Sequence, residues 1–210
     1  MTARDGRGAF CAEIDVSRET LDRLEFYAEL LEKWNPTINL VSKATIDEIW
    51  TRHFLDSAQL CDLVTREIHH WADFGAGGGF PGLVVAVLLK ERSPETKMTL
   101  VESDKRKATF LRTAVRELAV NTDVVSERIE GLTPLKADVL SARALAPLVK
   151  LCEYAERHLA PSGAALFPKG ANHAEELKEA LASWTFKSQE FPSKTNLNAV
   201  ILKLGDIARV

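Results

Sequence analysis

Residues 73 to 82 read Asp-Phe-Gly-Ala-Gly-Gly-Gly-Phe-Pro-Gly, and they stand between a short apolar run and Leu83-Val84-Val85-Ala86-Val87-Leu88-Leu89. A chain so rich in glycine gives up conformational entropy unless its backbone must turn sharply or approach another group closely. With an apolar run before it and a helix-forming run after it, the stretch predicts a strand, a tight turn and a helix start, which together bring backbone N–H groups to a ligand. Pro81 suits the first turn of that helix. The spacing narrows the ligand. A dinucleotide fingerprint G-x-G-x-x-G beginning at Gly75 needs glycine or alanine where Phe80 stands. No Gly-Lys pair occurs anywhere in the chain, so the phosphate loop of nucleotide hydrolases is missing its lysine. A small nucleoside cofactor without phosphate contacts is the expected occupant.

From residue 70 onward, apolar runs alternate with helical patterns, which predicts a mostly parallel sheet covered by helices. Strands are expected at 71–74, 98–101, 124–125, 139–142 and 164–167, helices at 81–91, 104–118, 147–159 and 174–184, a turn at Pro161-Ser162-Gly163, and a closing hairpin from 186–191 and 199–204. Before the turn the pattern differs. Residues 1–16 read as irregular; Ser17 can cap a helix bearing Leu21, Leu24, Ala28 and Leu31, which Asn35-Pro36 should stop. Thr45 and Glu48 have capping-box spacing for a second helix carrying Ile46, Ile49, Trp50, Phe54 and Leu60. Residues 1–65 are thus expected to form a helical cap, and 66–210 an α/β domain, in one compact unit.

Composition excludes several classes. The three cysteines, Cys11, Cys61 and Cys152, are widely spaced and unpaired in pattern, which argues against a disulfide framework or a zinc site and for free thiols and no metal. No apolar run reaches membrane-spanning length and no signal core opens the chain, so no membrane partner and a cytoplasmic location are expected. A net charge of -3 leaves any nucleic-acid contact to a local basic surface.

The polar residues then suggest the chemistry. Glu102 ends the second expected strand, where a carboxylate can accept hydrogen bonds from both hydroxyls of a ribose. Asp104 is better placed to cap the next helix. Glu130 and the neighbouring backbone of Ile129 follow the third strand and suit an adenine. An adenosine-like ligand without phosphate points to S-adenosylmethionine. Methyl transfer from a sulfonium is an in-line displacement in which positioning counts most. After the fourth strand, Ser141-Ala142-Arg143-Ala144 replaces the Asp/Asn/Ser-Pro-Pro-aromatic run of amine methylation, and no cysteine nucleophile stands there. An acceptor such as a purine N7 carries its own lone pair and needs no base. His53 and Asp56 lie three apart, on one helix face. Lys105, Arg112 and Arg116, with Arg106 and Lys107 nearby, could hold phosphates along one face of the 104–118 helix or simply be solvated.

These stretches, with Trp34-Asn35, Asn39-Leu40-Val41-Ser42, Arg52-His53-Phe54-Leu55-Asp56-Ser57, Ala142-Arg143-Ala144 and Pro168-Lys169-Gly170, make the chain resemble the bacterial small-subunit ribosomal RNA methyltransferase G family, also called glucose-inhibited division protein B. The resemblance implies a class I, Rossmann-like S-adenosylmethionine-dependent methyltransferase with an N-terminal helical cap. It implies methylation of a guanine N7 in 16S ribosomal RNA, within the 30S subunit or a precursor, by a cytoplasmic monomer. By position it puts Gly75, Phe80, Ile129, Glu130 and Arg143 at the cofactor, which the glycine turn also brings to Gly77, and His53, Asp56 and Lys169 beside the methyl acceptor; Arg143 and Lys169 are then expected to orient the guanine and its backbone, and His53 and Asp56 to brace the helical cap. Glu102-Ser103-Asp104 departs from many members, so the ribose assignment stands on the fold argument. The residues by themselves leave two alternatives open: a methyltransferase of similar fold acting on a small molecule or protein, and a non-catalytic RNA-binding assembly factor.

Overall fold

The structure is a computed structural model that describes residues 3–210. Seven strands form one sheet in the order β3-β2-β1-β4-β5-β7-β6. They are β1 (His70–Phe74), β2 (Lys97–Val101), β3 (Thr122–Val125), β4 (Ala137–Ala142), β5 (Leu159–Lys169), β6 (Trp184–Pro192) and β7 (Val200–Arg209). The pairings among β1 to β5 are parallel, and β7 runs antiparallel between β5 and β6. Strand order reverses between β1 and β4, and ligands of open α/β sheets bind at such a switch point, beyond the strand carboxyl ends. The glycine turn leaves β1 at that place.

Alternate strand residues feed two cores. Trp71, Leu100, Val139, Leu166 and Ile201 face one way. Ala72, Val101, Leu140, Phe167 and Leu202 face the other. The first face carries α3 (Gly82–Arg92) and α4 (Lys105–Leu118); α2 (Arg18–Ile38) lies over them, and α1 (Ala3–Glu13) packs against residues 49–55. The second carries α5 (Leu148–His158) and α6 (His173–Leu181). Leu24, Tyr27 and Leu31 of α2 are fully buried in the same cluster as the sheet. At roughly 1.5–3 kcal/mol for each large buried side chain, these contacts make the N-terminal helices part of the sheet's core.

Four sequence expectations are corrected. Residues 3–13 are not irregular, because α1 occupies Ala3–Glu13 and buries Phe10 edge-on against Trp50 at 5.5 Å. A side chain at Gly6 would lie 3.1 Å from Trp50 Cβ, so glycine there permits the close approach. The α2 helix does not stop at Asn35-Pro36; it runs to Ile38 and ends on Asn39 at φ 50°, while Asn35 Oδ1 accepts the Val41 N–H at 2.9 Å. The expected second α-helix is instead a short turn, Lys43–Ile46, followed by a π-helix, Ile49–Leu55. Its capping box does not form, since Thr45 Oγ1 donates to the Ser42 carbonyl at 3.1 Å. Pro161-Ser162-Gly163 is no turn either, for it lies within β5, where the register with β4 shifts between Ala137 and Val139.

Candidate functional site

Most amides of the glycine turn are already hydrogen-bonded. The N–H groups of Gly75 and Ala76 donate to the Val101 carbonyl at the end of β2, at 2.9 and 3.1 Å. Those of Gly79 and Phe80 donate to Ala76 O at 2.6 and 3.1 Å, and that of Gly77 to Glu102 Oε2 at 2.8 Å. Amides committed in this way do not form the cradle of free donors that a pyrophosphate would need. Glu102 is buried, and its Oε1 accepts the Asp104 N–H at 2.7 Å. Asp104 caps α4 by accepting from the Arg106 and Lys107 amides. The Glu102 carboxylate therefore lies across the foot of the turn, held by backbone donors that a ribose could replace.

The turn is open at one position. Gly77 has φ +55°, and a Cβ built on it would meet nothing closer than the Gly75 carbonyl at 3.7 Å. At Gly75, by contrast, a Cβ would sit 2.6 Å from Leu145 Cδ1. Ile129 is buried; Glu130 is half exposed and turned toward Tyr154, whose hydroxyl donates to Glu130 Oε1 at 2.5 Å and holds that carboxyl below its usual range. What this segment offers a ligand is mainly backbone. Below the turn, Asp73 is fully buried and accepts from the Ser141 hydroxyl at 2.6 Å and the Gly82 amide at 3.1 Å. Burial pushes its carboxyl up to about 7 against those two donors.

On the other side of Arg143 opens a cleft of about 1180 Å³, bounded by the π-helix, the β4–α5 loop, the end of β5, α6 and the β6–β7 loop. Arg143, Lys169, His53 and Asp56 all line it. Arg143 Nη1 donates to Asp56 Oδ2 at 3.1 Å and to the Arg52 carbonyl at 3.3 Å. Its Nη2 lies 3.0 Å from His53 Nδ1, and its guanidinium sits 5.1 Å above the Phe80 ring. A guanidinium can only donate, so His53 Nδ1 is the acceptor and its proton is on Nε2, which donates to Thr45 Oγ1 at 3.0 Å. Burial, and then the Arg143 charge, push His53 down to about 4, and the imidazole is neutral. His53 also stacks on Phe80 with ring centres 4.7 Å apart. Phe80 is buried, so its ring joins the turn to the cleft.

Asp56 is the hub of the cleft wall. Its Oδ1 accepts from the Thr195 hydroxyl at 2.9 Å and from Gln59 Nε2 at 3.1 Å. Sequence reasoning missed Thr195 and Gln59, which carry no motif and meet Asp56 only through the fold, and read Thr45 only as a helix cap. The π-helix was missed as well; such segments favour functional sites, and this one carries Arg52 and His53.

Lys169 reaches the cleft by its chain, but its ammonium is paired with Glu176 Oε2 at 2.6 Å and donates to Ala146 O at 3.1 Å. Glu176 also accepts the Leu148 amide at the start of α5. Lys105, Arg112 and Arg116 do not line the cleft; all three are exposed on α4, and Arg116 pairs with Glu117.

Three comparisons bear on this geometry. The family model described as rRNA small subunit methyltransferase G matches residues 20–201. A Cereibacter sphaeroides protein named ribosomal RNA small subunit methyltransferase G is 53% identical over 199 residues, 95% of this chain and 97% of its own. A Ruegeria sp. protein of the same name is 53% identical over 206 residues, 98% and 99% of the two chains. Among solved structures, an MtNAS mutant in complex with S-adenosylmethionine aligns with TM-score 0.58 at 16% identity, covering 86% of this chain and 75% of that one. A fibrillarin/Nop5p complex aligns with TM-score 0.56 at 16% identity, covering 73% and 81%. These likenesses identify the fold as that of class I methyltransferases.

Proposed function

The chain belongs to the rRNA small subunit methyltransferase G family, and from that premise we propose that it transfers a methyl group from S-adenosylmethionine to N7 of a guanine in 16S ribosomal RNA. Its residues fit this donor. The backbone at Gly75, Gly77 and Phe80 borders it, Glu102 accepts from its ribose, and Ile129 and Glu130 flank its adenine, around the open position at Gly77. When bound, S-adenosylmethionine supplies an electrophilic methyl on a sulfonium.

The observation that carries the reading is the clamp on Arg143. Held by Asp56, His53 and the Phe80 face, it stands where the glycine turn meets the cleft, so donor and acceptor share one fixed cation. Arg143 orients the guanine by donating to its O6, which leaves N7 free. No proton leaves N7, and the site needs no general base; the neutral His53 spends its lone pair on Arg143 instead. The positive charge passes to the purine, and Asp56 offsets it beside Arg143. Lys169, through Glu176 and Ala146 O, fixes the loop that bears Arg143.

The acceptor is presented by the 30S subunit or a precursor, and the protein acts as a monomer in the cytoplasm. Incubation with labelled donor and 30S subunits from a strain lacking the enzyme, followed by base mapping, tests this. Label on one 16S guanine is expected. Label on protein or small molecules would overturn the acceptor, and failure to bind donor would leave an assembly factor.

A further inference from the structure

Tyr27 stands on α2, forty-six positions from the start of the glycine turn by number, yet it is fully buried against that turn. Its hydroxyl donates to the Gly78 carbonyl. Its ring forms a triangle with those of Phe54 at 5.4 Å and Phe80 at 5.6 Å, which are themselves 6.1 Å apart, and it lies nearly parallel to both. A Cβ at Gly79, where φ is +98°, would run into the Tyr27 hydroxyl and come within 2.9 Å of Leu83 Cβ. One side of the turn is therefore shaped by a residue of the N-terminal helices, while the other, at Gly77, is open. The sheet holds the two ends of the turn, through Val101 O and Glu102 at residues 75 to 77 and through Asp73 at Gly82, and Tyr27 holds the stretch between them.

We propose that Tyr27 is a positioning residue of the methyl-donor site: by binding the Gly78 carbonyl it holds residues 77 to 79 in the donor-competent conformation. The N-terminal segment thereby serves both sites, α2 through Tyr27 at the donor site and the π-helix through Arg52 and His53 at the wall of the acceptor cleft. This inference rests on the assignment of the glycine turn to S-adenosylmethionine. A buried carbonyl that loses its partner favours other turn conformations, and apparent affinity falls in proportion to the competent fraction. Loss of the hydroxyl alone should lower that fraction to about one in five to one in ten.

The test is Tyr27→Phe, which keeps the ring stack, with Tyr27→Met as a second variant lacking the hydroxyl. Donor affinity is measured by calorimetry with S-adenosylmethionine, and KM and kcat on 30S subunits. The expected result is a five- to tenfold rise in donor Kd and KM for both Tyr27 variants, with kcat at saturating donor within about twofold and 30S KM unchanged. A merely structural role would lower the melting temperature without this split. Unchanged donor Kd in a folded Tyr27 variant overturns the inference while the donor assignment stands. Absence of donor binding by the unsubstituted protein overturns the assignment itself.

Discussion

The two sides of Arg143 are built from different materials. On the side proposed for the donor the turn is shaped by backbone hydrogen bonds and, at Gly75 and Gly79, by close contacts that admit no side chain, with Asp73 buried beneath it. On the acceptor side the cleft is shaped by side chains that pair with one another: Arg143 with Asp56 and His53, Asp56 with Thr195, Lys169 with Glu176. A pocket for an invariant small cofactor can be fixed by packing. An opening that must admit part of a large polyanion keeps its polar groups at hand and satisfies them mutually until the acceptor arrives.

The comparison can be broken most directly at the residue both sides share. Arg143→Ala should lower single-turnover methyl transfer to 30S subunits by about a hundredfold or more while circular dichroism stays unchanged; undiminished turnover would remove Arg143 from the mechanism. Next comes the donor side. Gly79→Ala places a side chain at φ +98° against Tyr27 and Leu83, and should cost about 3 kcal/mol in urea unfolding, with donor binding weakened in parallel. An alanine variant of wild-type stability would show that the turn is not held as described.

Acid titration sharpens the contrast, because the two sides carry shifts of opposite sign. Asp73 in the fold titrates at about 7, above its ordinary 3.8, so its contribution to stability grows as pH falls from 7 toward 4. His53 titrates at about 4, below its ordinary 6.5, so its contribution is complete above 6.5 and is lost as pH falls toward 4. Melting temperatures between pH 7.5 and 4.5, a window of roughly the span of these two titrations, should therefore change less for the unsubstituted protein than for either variant. His53→Gln should gain relative stability on acidification and Asp73→Asn should lose it; slopes of the same sign would refute the assignment. The smallest effect is expected at the exposed α4 face, where Arg112→Ala and Arg116→Ala should each change the 30S KM by less than about twofold. A larger, salt-dependent rise would extend the RNA surface to α4.

The donor side was largely legible in the sequence. Glycines at 75, 77 and 79 forecast a turn that only positive φ satisfies, and all three adopt it. Asp104 was readable as a helix cap because its short carboxylate reaches the Arg106 and Lys107 amides. The acceptor side was readable only as a set of residue types. A π-helix has no hydrophobic period that separates it from an α-helix over so few residues, so the segment carrying Arg52 and His53 was assigned the commoner form. Helix α1 was hidden by Gly6 and Gly8, whose weak helix propensity is overruled by packing against Trp50.

Local chemistry written in the chain determined the strand-turn-helix, the alternation that makes a parallel sheet, and the carboxylate at the end of β2, because each depends on neighbours a few residues apart. Strand order and the course of the N-terminal helices decided the rest. They bring Tyr27 to Gly78, Arg143 to His53, and Thr195 to Asp56 across separations of 51, 90 and 139 residues. No local preference encodes such pairs; they exist because burying both faces of the sheet brings these distant side chains within reach of one another.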